Sequence, residues 1–230
     1  MSLVCDEPTV GSILMIVGAR PWAIVVAGGN GTRFGGRKQL ARLGSRRVID
    51  WSIDALRPFV EGIVAVVPSD LVEGTSEASD LAVEVVVAGG ATRSASVRAG
   101  LEALPPATIW VLVHDAARPM ASHALVGRVV AALAGDGSPD GVVPVVPLTD
   151  TLRRRTGGAV DRSEFVAVQT PQGFSVATLR RAHGAEADAT DDATLVDAIG
   201  GVVVHVEGEV TNMKITAPED LRVAEVLHDC

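Results

Sequence analysis

The chain has 230 residues, of which 47% are hydrophobic but only 3% aromatic, and its formal net charge is −8. This length suits one α/β domain, and a core made mainly of Val, Ala, Leu and Ile favours strands buried on both faces, as in a parallel sheet. The negative charge excludes wholesale binding to nucleic acid or to an anionic membrane, although basic residues can still gather at one site.

The ends of the sequence carry little chemistry. Cys5 and Cys230 offer neither metal-ligand spacing nor a disulfide framework. No apolar run reaches the length of a membrane span, and the short apolar run at 12–18 lacks the basic flank of a signal peptide. We therefore expect a cytoplasmic protein in which an N-terminal extension over residues 1–20, which can be disordered, precedes a single domain over residues 21–230.

Strand-like and helix-like patterns alternate through the first two thirds of the chain. Buried strands are predicted at 23–27, 62–67, 83–87, 109–113 and 141–146. Helices are predicted at 48–56, 96–104 and 124–133, and the polar stretch at 70–80 fits either a weak helix or a loop. Pro144 indicates that the last of these strands lies at a sheet edge or is bulged.

This alternation predicts a mainly parallel twisted sheet with helices on both faces and right-handed crossovers. Ligands of such folds bind outside the carboxyl ends of the strands. The loops that follow Ala27, Val87, Val113 and Val146 are therefore the places where we expect a site.

A polar, basic stretch at about 148–165 interrupts the alternation, with the turn signal Thr156-Gly157-Gly158 near its centre. We interpret it as a projecting β-hairpin arm. Because an isolated hairpin is only marginally stable in water, the arm should pack on something, most simply on its copy in a dimer. An ordinary surface hairpin on a monomer fits the composition equally well.

The C-terminal third resumes the pattern. Ser175 and Thr190 are predicted N-caps of two helices, the second of which ends at Gly200, and a strand is predicted at 201–207. Thr216 and Glu219 have the spacing of a capping box at the start of a last helix.

The glycine-rich stretch "AGGNGTRFGGRK" follows the first predicted strand, from Ala27 to Lys38. A dinucleotide fingerprint that starts at Gly29 fails because Phe34 replaces its last glycine, and a P-loop that starts at Gly31 fails because no Lys-Ser/Thr pair follows its second glycine. Glycine N–H groups and two basic residues, Arg33 and Lys38, nevertheless suit a nucleoside triphosphate. The alternative is a tight turn with two solvated basic side chains.

Further segments lie in order along the chain: "AGGNGTR", "RKQL", "AGGATRSASVRAGL", "VLVHDAARP", "DTLRR", "VDR", "VQTPQGF", "TDDATLV" and "NMKITAPEDL". Together they resemble the 2-C-methyl-D-erythritol 4-phosphate cytidylyltransferase family of the non-mevalonate isoprenoid pathway. The resemblance implies a Rossmann-like nucleotidyltransferase fold that transfers CMP from CTP to a sugar-alcohol phosphate and releases pyrophosphate. It also implies Mg²⁺ or another divalent cation, and a homodimer interlocked through the arm, with shared active sites.

The resemblance assigns four residues to catalysis. Arg33 and Lys38 would stabilise charge as it moves to the pyrophosphate, Lys214 would position the phosphate nucleophile, and Arg162 would reach the partner's site from the arm. Because the acceptor phosphate is already anionic, no general base is needed, and catalysis consists of positioning and charge stabilisation.

The resemblance further implies contacts of CTP or the acceptor with Ala27, Gly28, Gly29, Gly31, Gly89, Gly90, Ser96, Asp115, Ala116, Arg118 and Thr151. Several of these residues have a second interpretation. Ser96 could simply cap its helix, and Arg118 could hold its own loop in shape. Asp115 could accept a hydrogen bond from a substrate hydroxyl or act as a weak Mg²⁺ ligand, since Mg²⁺ takes most of its ligands from phosphates and water.

Some residues are left without a catalytic role. His114 is predicted to be buried or structural, and the "QTPQG" segment to shape the loop under the site. Asp191 and Asp192 lie in the first turn of a helix, where acidic residues are favourable in any case. Arg37 stands where the family usually has a proline and receives no role.

Three competing functions remain open. A ribitol 5-phosphate cytidylyltransferase would use the same chemistry on another acceptor. The similarity of "GGRKQLARLG" to molybdenum-cofactor nucleotidyltransferases also bears on the acceptor more than on the reaction. A non-catalytic nucleotide-binding regulator would bind CTP without turnover. A nicotinamide-dependent dehydrogenase is disfavoured by Phe34.

Overall fold

The computed structural model describes residues 20–28, 34–72, 76–135, 137–184 and 188–228. Strands in these ranges are β1 (Trp22–Val26), β2 (Arg42–Leu43), β3 (Arg46–Arg47), β4 (Ile63–Val67), β5 (Val85–Ala88), β6 (Trp110–Asp115), β7 (Gly141–Pro147), β8 (Val166–Val168), β9 (Gln172–Ser175) and β10 (Val203–Glu207). Helices are α1 (Val48–Leu56), α2 (Ser69–Val72), α3 (Ser76–Ser79), α4 (Arg93–Glu102), α5 (His123–Leu133), α6 (Val176–His183), α7 (Asp192–Ala198) and α8 (Pro218–His228). The predicted helix at 48–56 is confirmed residue for residue, and the ambiguous stretch at 70–80 forms two short helices.

Eight of these strands form one sheet in the order β10-β7-β9-β6-β1-β4-β5, with β8 paired to β7. β1 pairs in parallel with β4 and β6, β4 with β5, and β7 with β10, which confirms the mainly parallel sheet. The stretch predicted to be a loop under the site contains β9, an antiparallel strand inserted between β6 and β7. The structural role predicted for "QTPQG" agrees with Thr170, whose hydroxyl accepts from the Asp115 N–H at 3.0 Å. The sequence analysis missed the strand itself, because "QGFS" is too short to show the alternation of a strand.

Side chains of β1 and β4 alternate between the two faces of the sheet, and both faces are buried. Ala23 and Val25 belong to a core with Ile53 of α1 and Val129 of α5. Ile24 belongs to a second core on the other face, packed by α4, α6 and α7. Burial on both faces explains why these strands are continuous apolar runs.

Pro144 does not mark a sheet edge, because β7 lies inside the sheet between β10 and β9. On its β9 side β7 changes partner: Val142 pairs with Gly173, but Val145 pairs with Val168 of β8. Pro144 lies between these two pairs, and its carbonyl accepts from the Gln169 N–H at 2.8 Å. A residue without an N–H is tolerated where the ladder is interrupted.

Two helix caps differ from the predictions. Asp191, not Thr190, caps α7, since its carboxylate accepts from the Thr194 N–H at 3.2 Å. Before α8 the carboxylate of Asp220, not of Glu219, accepts from the Thr216 N–H at 2.7 Å and the Ala217 N–H at 2.9 Å. Aspartate is a better N-cap than threonine, which explains the change at α7. The Ser175 cap on α6 is confirmed.

The segment at 148–165 runs outward from β7 and returns to β8. Arg153 and Ala159 form an antiparallel bridge across a turn in which Gly157 and Gly158 have positive φ of 104° and 80°. Phe165, Val166 and Val168, at the end of this segment and just after it, are between 39% and 45% exposed.

Candidate active site

A cavity of about 490 Å³ opens at the carboxyl ends of β1, β4, β5 and β6. This size lies within the range of small-molecule sites. It is lined by Val26, Ala27, Gly28, Lys38, Gln39, Pro68, Ser69, Asp70, Gly89, Gly90, Ala91, Thr92, Arg93, Ser96, Asp115, Ala116, Ala117 and Lys214. The loops after β1, β5 and β6 are where the sequence predicted a site.

One predicted loop position is wrong, and one loop of the site was missed. The loop after Val67 also lines the cavity, although the sequence did not single it out, whereas the segment after Val146 does not. The reason is topological: antiparallel β9 separates β7 from β6, while β4 lies directly beside β1. Parallel neighbours end at the same edge of the sheet, so their loops meet.

Nine of the predicted site residues meet in this cavity: Ala27, Gly28, Lys38, Gly89, Gly90, Ser96, Asp115, Ala116 and Lys214. Arg118, Thr151 and Arg162 do not line it. Gly29, Gly31 and Arg33 lie outside the described residues, as does the predicted extension up to residue 19.

Ser96 of α4 lies so close to the loops after β1 and β5 that a side chain at Gly28 or Gly89 would press on its hydroxyl. A Cβ on Gly28 would lie 3.0 Å from the Ser96 hydroxyl, and one on Gly89 would lie 2.9 Å from it. Thr92 is the N-cap of α4, accepting from the Ala95 N–H at 3.1 Å, so Ser96 is not the helix cap. Its hydroxyl donates to the Thr92 carbonyl at 3.0 Å, and the residue lines the cavity. These glycines leave backbone groups open to a ligand.

Lys38 and Lys214 reach the cavity from distant parts of the chain. The Lys38 ammonium donates to the Ile215 carbonyl at 2.8 Å, across 177 residues of sequence. Gln39, beside it, is buried and donates from Nε2 to the Ala27 carbonyl at 2.9 Å. The 3-10 turn Lys38–Leu40 is therefore tied both to the end of β1 and to the segment that carries Lys214.

Asp115, the last residue of β6, is paired with two cations. Its Oδ2 accepts from Lys214 Nζ at 2.6 Å, and its Oδ1 accepts from Arg93 Nε at 3.3 Å. Burial by itself would raise the pKa of Asp115, but the charges of Lys214 and Arg93 outweigh burial and hold the pKa well below its usual range. The two cations therefore favour the carboxylate form of Asp115.

This pairing does not fit a metal site made by the protein. Both Asp115 oxygens face cations, and the described parts of the chain contain no group of three or more His, Cys, Asp or Glu that could hold a metal ion. A divalent cation in this cavity would need its ligands from a bound phosphate compound and from water.

Arg93 is the main site residue that sequence reasoning missed. It lies in the segment "AGGATRSASVRAGL", begins α4 and lines the cavity. Its guanidinium forms ion pairs with both Asp115 and Asp192. Burial works against its charge, yet the two carboxylates raise the pKa of Arg93 above its ordinary value. A compositional signal was available as well: Lys38 and Lys214 are the two lysines of the whole sequence, against eighteen arginines, and both line this cavity.

Arg118 and Arg37 serve neighbouring segments. Arg118 donates to the Asn212 carbonyl at 2.7 Å and to the Val168 carbonyl at 3.3 Å, which favours the interpretation that it holds loops in shape. Arg37 forms an exposed ion pair with Asp70 at the edge of the cavity, so the residue without a predicted role has a partner. Such exposed pairs contribute little to stability.

His114 is fully buried under the site, as the sequence predicted. Its Nδ1 lies 3.1 Å from the Thr170 hydroxyl and its Nε2 lies 3.2 Å from the Arg118 carbonyl. Burial is the main reason why the pKa of His114 falls from its ordinary 6.5 to about 4.

The lowered pKa of His114 predicts how stability depends on pH. Between pH 6.5 and about 4, His114 binds a proton in the unfolded chain but not in the folded chain. The free energy of unfolding should therefore fall as pH falls through this range. The His114 contribution to this loss should be on the order of 2 kcal/mol between pH 7 and pH 4.5. The total loss should be smaller by that amount in His114→Gln, in which carboxylates with lowered pKa values, such as Glu84, still contribute. Urea unfolding at pH 7 and pH 4.5 measures it; an equal loss in both proteins would contradict the prediction.

Comparison with known proteins decides the family. The family model described as IspD: 2-C-methyl-D-erythritol 4-phosphate cytidylyltransferase matches residues 22–229. The chain belongs to this family. It is 44% identical over 215 residues to the 2-C-methyl-D-erythritol 4-phosphate cytidylyltransferase of Thermus thermophilus, covering 89% of this chain and 95% of that protein. The family resemblance seen in the sequence is therefore confirmed.

Longer members of the family also match. The bifunctional enzyme IspD/IspF of Nitratidesulfovibrio vulgaris is 44% identical over 229 residues, and the chain spans 58% of the length of that relative. Among solved structures, the T. thermophilus enzyme superposes with a TM-score of 0.78 at 39% identity, covering 92% of this chain and 100% of that one. The bifunctional IspDF of Campylobacter jejuni gives 0.79 at 29% identity, covering 89% and 54%. The family fold is thus the α/β nucleotidyltransferase fold described above.

No helix in the part of the chain that the structure describes is long and apolar enough to cross a membrane.

Proposed function

We propose that the chain transfers CMP from CTP to 2-C-methyl-D-erythritol 4-phosphate, giving 4-diphosphocytidyl-2-C-methyl-D-erythritol and pyrophosphate. The observation that carries the proposal is the meeting of Lys38, Lys214 and Asp115 with two glycine loops in one cavity of a chain that belongs to this family. The attacking phosphate oxygen of the acceptor forms a bond to the α-phosphorus of CTP, and the bond from that phosphorus to the pyrophosphate oxygen breaks.

The residues in the cavity suit this reaction. The nucleophile carries its own negative charge, so no side chain needs to remove a proton from it. The reaction instead needs cations that hold the phosphates in line. Lys38 would stabilise the charge that moves to pyrophosphate, and Lys214, held by Asp115, would hold the acceptor phosphate against the α-phosphate. Backbone N–H groups around Gly28, Gly89 and Gly90 would bind the nucleotide.

Divalent cations enter the proposal only with the nucleotide. Since the described residues offer no protein-held metal cluster and Asp115 is engaged with Lys214 and Arg93, Mg²⁺ would be held mainly by the triphosphate oxygens. Its chemistry when bound is to neutralise phosphate charge.

The homodimer is part of the same proposal. Arg162 and Thr151 are exposed and do not line the cavity of their own chain, and exposed apolar side chains lie at the end of the arm, at Phe165 and Val166. We propose that the arm packs against a second copy and brings Arg162 and Thr151 to the partner's acceptor site.

A coupled pyrophosphate assay tests the function. CTP, ATP, UTP and GTP are each combined with 2-C-methyl-D-erythritol 4-phosphate or ribitol 5-phosphate, with Mg²⁺ or with excess EDTA. We expect pyrophosphate only from CTP with the first acceptor and only with the cation. Turnover with ribitol 5-phosphate alone, or CTP binding without turnover of either acceptor, would overturn the proposal.

A further inference from the structure

Ion pairs and a hydrogen bond link five side chains in a continuous row from the cavity into the interior. Lys214 contacts Asp115 at 2.6 Å, and Asp115 contacts Arg93 at 3.3 Å. Arg93 Nη1 contacts Asp192 Oδ2 at 2.7 Å, and Asp192 Oδ1 lies 2.9 Å from His183 Nε2. Lys214 is 41% exposed at one end of the row, whereas Asp192 and His183 are buried at the other.

Asp192 is completely buried and does not line the cavity, so it cannot touch a substrate there. Holding a carboxylate away from water is costly unless it is paired and hydrogen-bonded. Capping does not explain its position, because the N-cap of α7 is its neighbour Asp191. We therefore attribute the buried position of Asp192 to its contacts with Arg93 and His183.

Arg93 divides its donors between two carboxylates. It gives Nε to Asp115 and Nη1 to Asp192, which lie 77 residues apart in sequence. A guanidinium with a single carboxylate partner prefers a two-pronged contact that occupies both oxygens. Here Asp192 prevents that contact, and Oδ2 of Asp115 stays available to Lys214.

We propose that Asp192 is a positioning residue: by holding Arg93, it keeps one oxygen of Asp115 for Lys214 and so fixes the ammonium that orients the acceptor phosphate. The expected effect on turnover rests on the proposed function. The contacts among Asp192, Arg93, Asp115 and Lys214 do not depend on that function. Without Asp192, Arg93 turns fully to Asp115 and Lys214 loses its fixed partner.

Asp192→Asn tests the proposal because it removes the charge and keeps the shape. We expect kcat to fall on the order of tenfold, as when outer partners of a site are removed, while KM for CTP changes less than about threefold. The matched control is Asp191→Asn, on the same helical turn, because asparagine is an equally good N-cap and this variant should keep the wild-type kcat. An Asp192→Asn enzyme with the wild-type kcat would overturn the proposal.

Amine labelling follows Lys214 directly and does not depend on turnover. The sequence contains two lysines, so limited acetylation with acetic anhydride followed by peptide mass spectrometry compares Lys214 with Lys38 in the same molecule. Asp192→Asn should raise the Lys214-to-Lys38 labelling ratio several-fold because the Asp115 contact no longer shields the amine, whereas Asp191→Asn should leave the ratio unchanged. If Asp192 only stabilised the fold, a variant with the wild-type melting temperature would show the wild-type labelling ratio.

An unstable variant and an inactive wild-type protein would have different meanings. If Asp192→Asn does not reach the wild-type melting temperature, the labelling ratio is compared at a temperature well below the melting temperature of both proteins, where both are folded. If the wild-type protein releases no pyrophosphate, the proposed function fails, but an unchanged labelling ratio in the Asp192 variant still overturns the arrangement and a raised ratio still supports it.

Discussion

Replacing Lys38 with alanine is expected to lower kcat by at least about a hundredfold, the effect of losing one donor that stabilises transition-state charge. Lys38 lines the cavity and is fixed by its bond to the Ile215 carbonyl, so its charge is placed before the substrate arrives. Within the described residues, two other cations line the cavity, Arg93 and Lys214, and the Asp115 carboxylate already offsets part of their charge. Steady-state kinetics with CTP and 2-C-methyl-D-erythritol 4-phosphate measures the loss.

Lys38→Gln separates the charge of Lys38 from its hydrogen bond. Its amide can still donate to the Ile215 carbonyl, but it carries no charge, so we expect kcat to be as low as in Lys38→Ala. The matched control is Arg42→Ala on β2, an exposed cation that does not line the cavity. A glutamine variant with a near-normal rate would show that Lys38 only ties two segments together.

Arg162→Ala is the second variant with a large expected effect. If the arm completes the partner's acceptor site, this change should lower kcat/KM for the acceptor by about a hundredfold and leave CTP binding within about twofold of wild type. Arg155→Ala, an exposed cation at the turn of the same arm, is the control. The side chain of Arg162 donates to the Thr149 carbonyl on the surface of its own chain, so the fold should not suffer.

Complementation tests whether the sites are shared. A dimer of one Lys38→Ala subunit and one Arg162→Ala subunit contains one site with both defects and one site with none. Random co-assembly of the two inactive proteins should therefore restore about a quarter of the wild-type activity. If the mixture stays inactive although mixed dimers are present, Arg162 serves its own chain or none, and the shared site is wrong.

Much of the fold was predictable because its signals are local. The continuous apolar runs of β1, β4 and β6 require burial on both faces, and α1 was predicted residue for residue from the spacing of Ile49, Ile53 and Leu56. β9 was missed because four residues carry no usable period. Of the two alternatives predicted for Pro144, a sheet edge or a bulge, the edge was wrong, because the partner change of β7 depends on where β8 and β9 lie.

The sequence by itself determined the alternating architecture, the glycine loops at the strand ends and the family, since each depends on neighbouring residues or on short motifs. Only the tertiary structure decided which charges meet. Lys214 reaches Asp115, and Arg93 reaches Asp192, across 99 residues each. Such contacts follow from how strands and helices pack, and they produce no pattern in the sequence around either residue. For that reason Asp192 looked like an ordinary acid at a helix start, and Arg93 was overlooked.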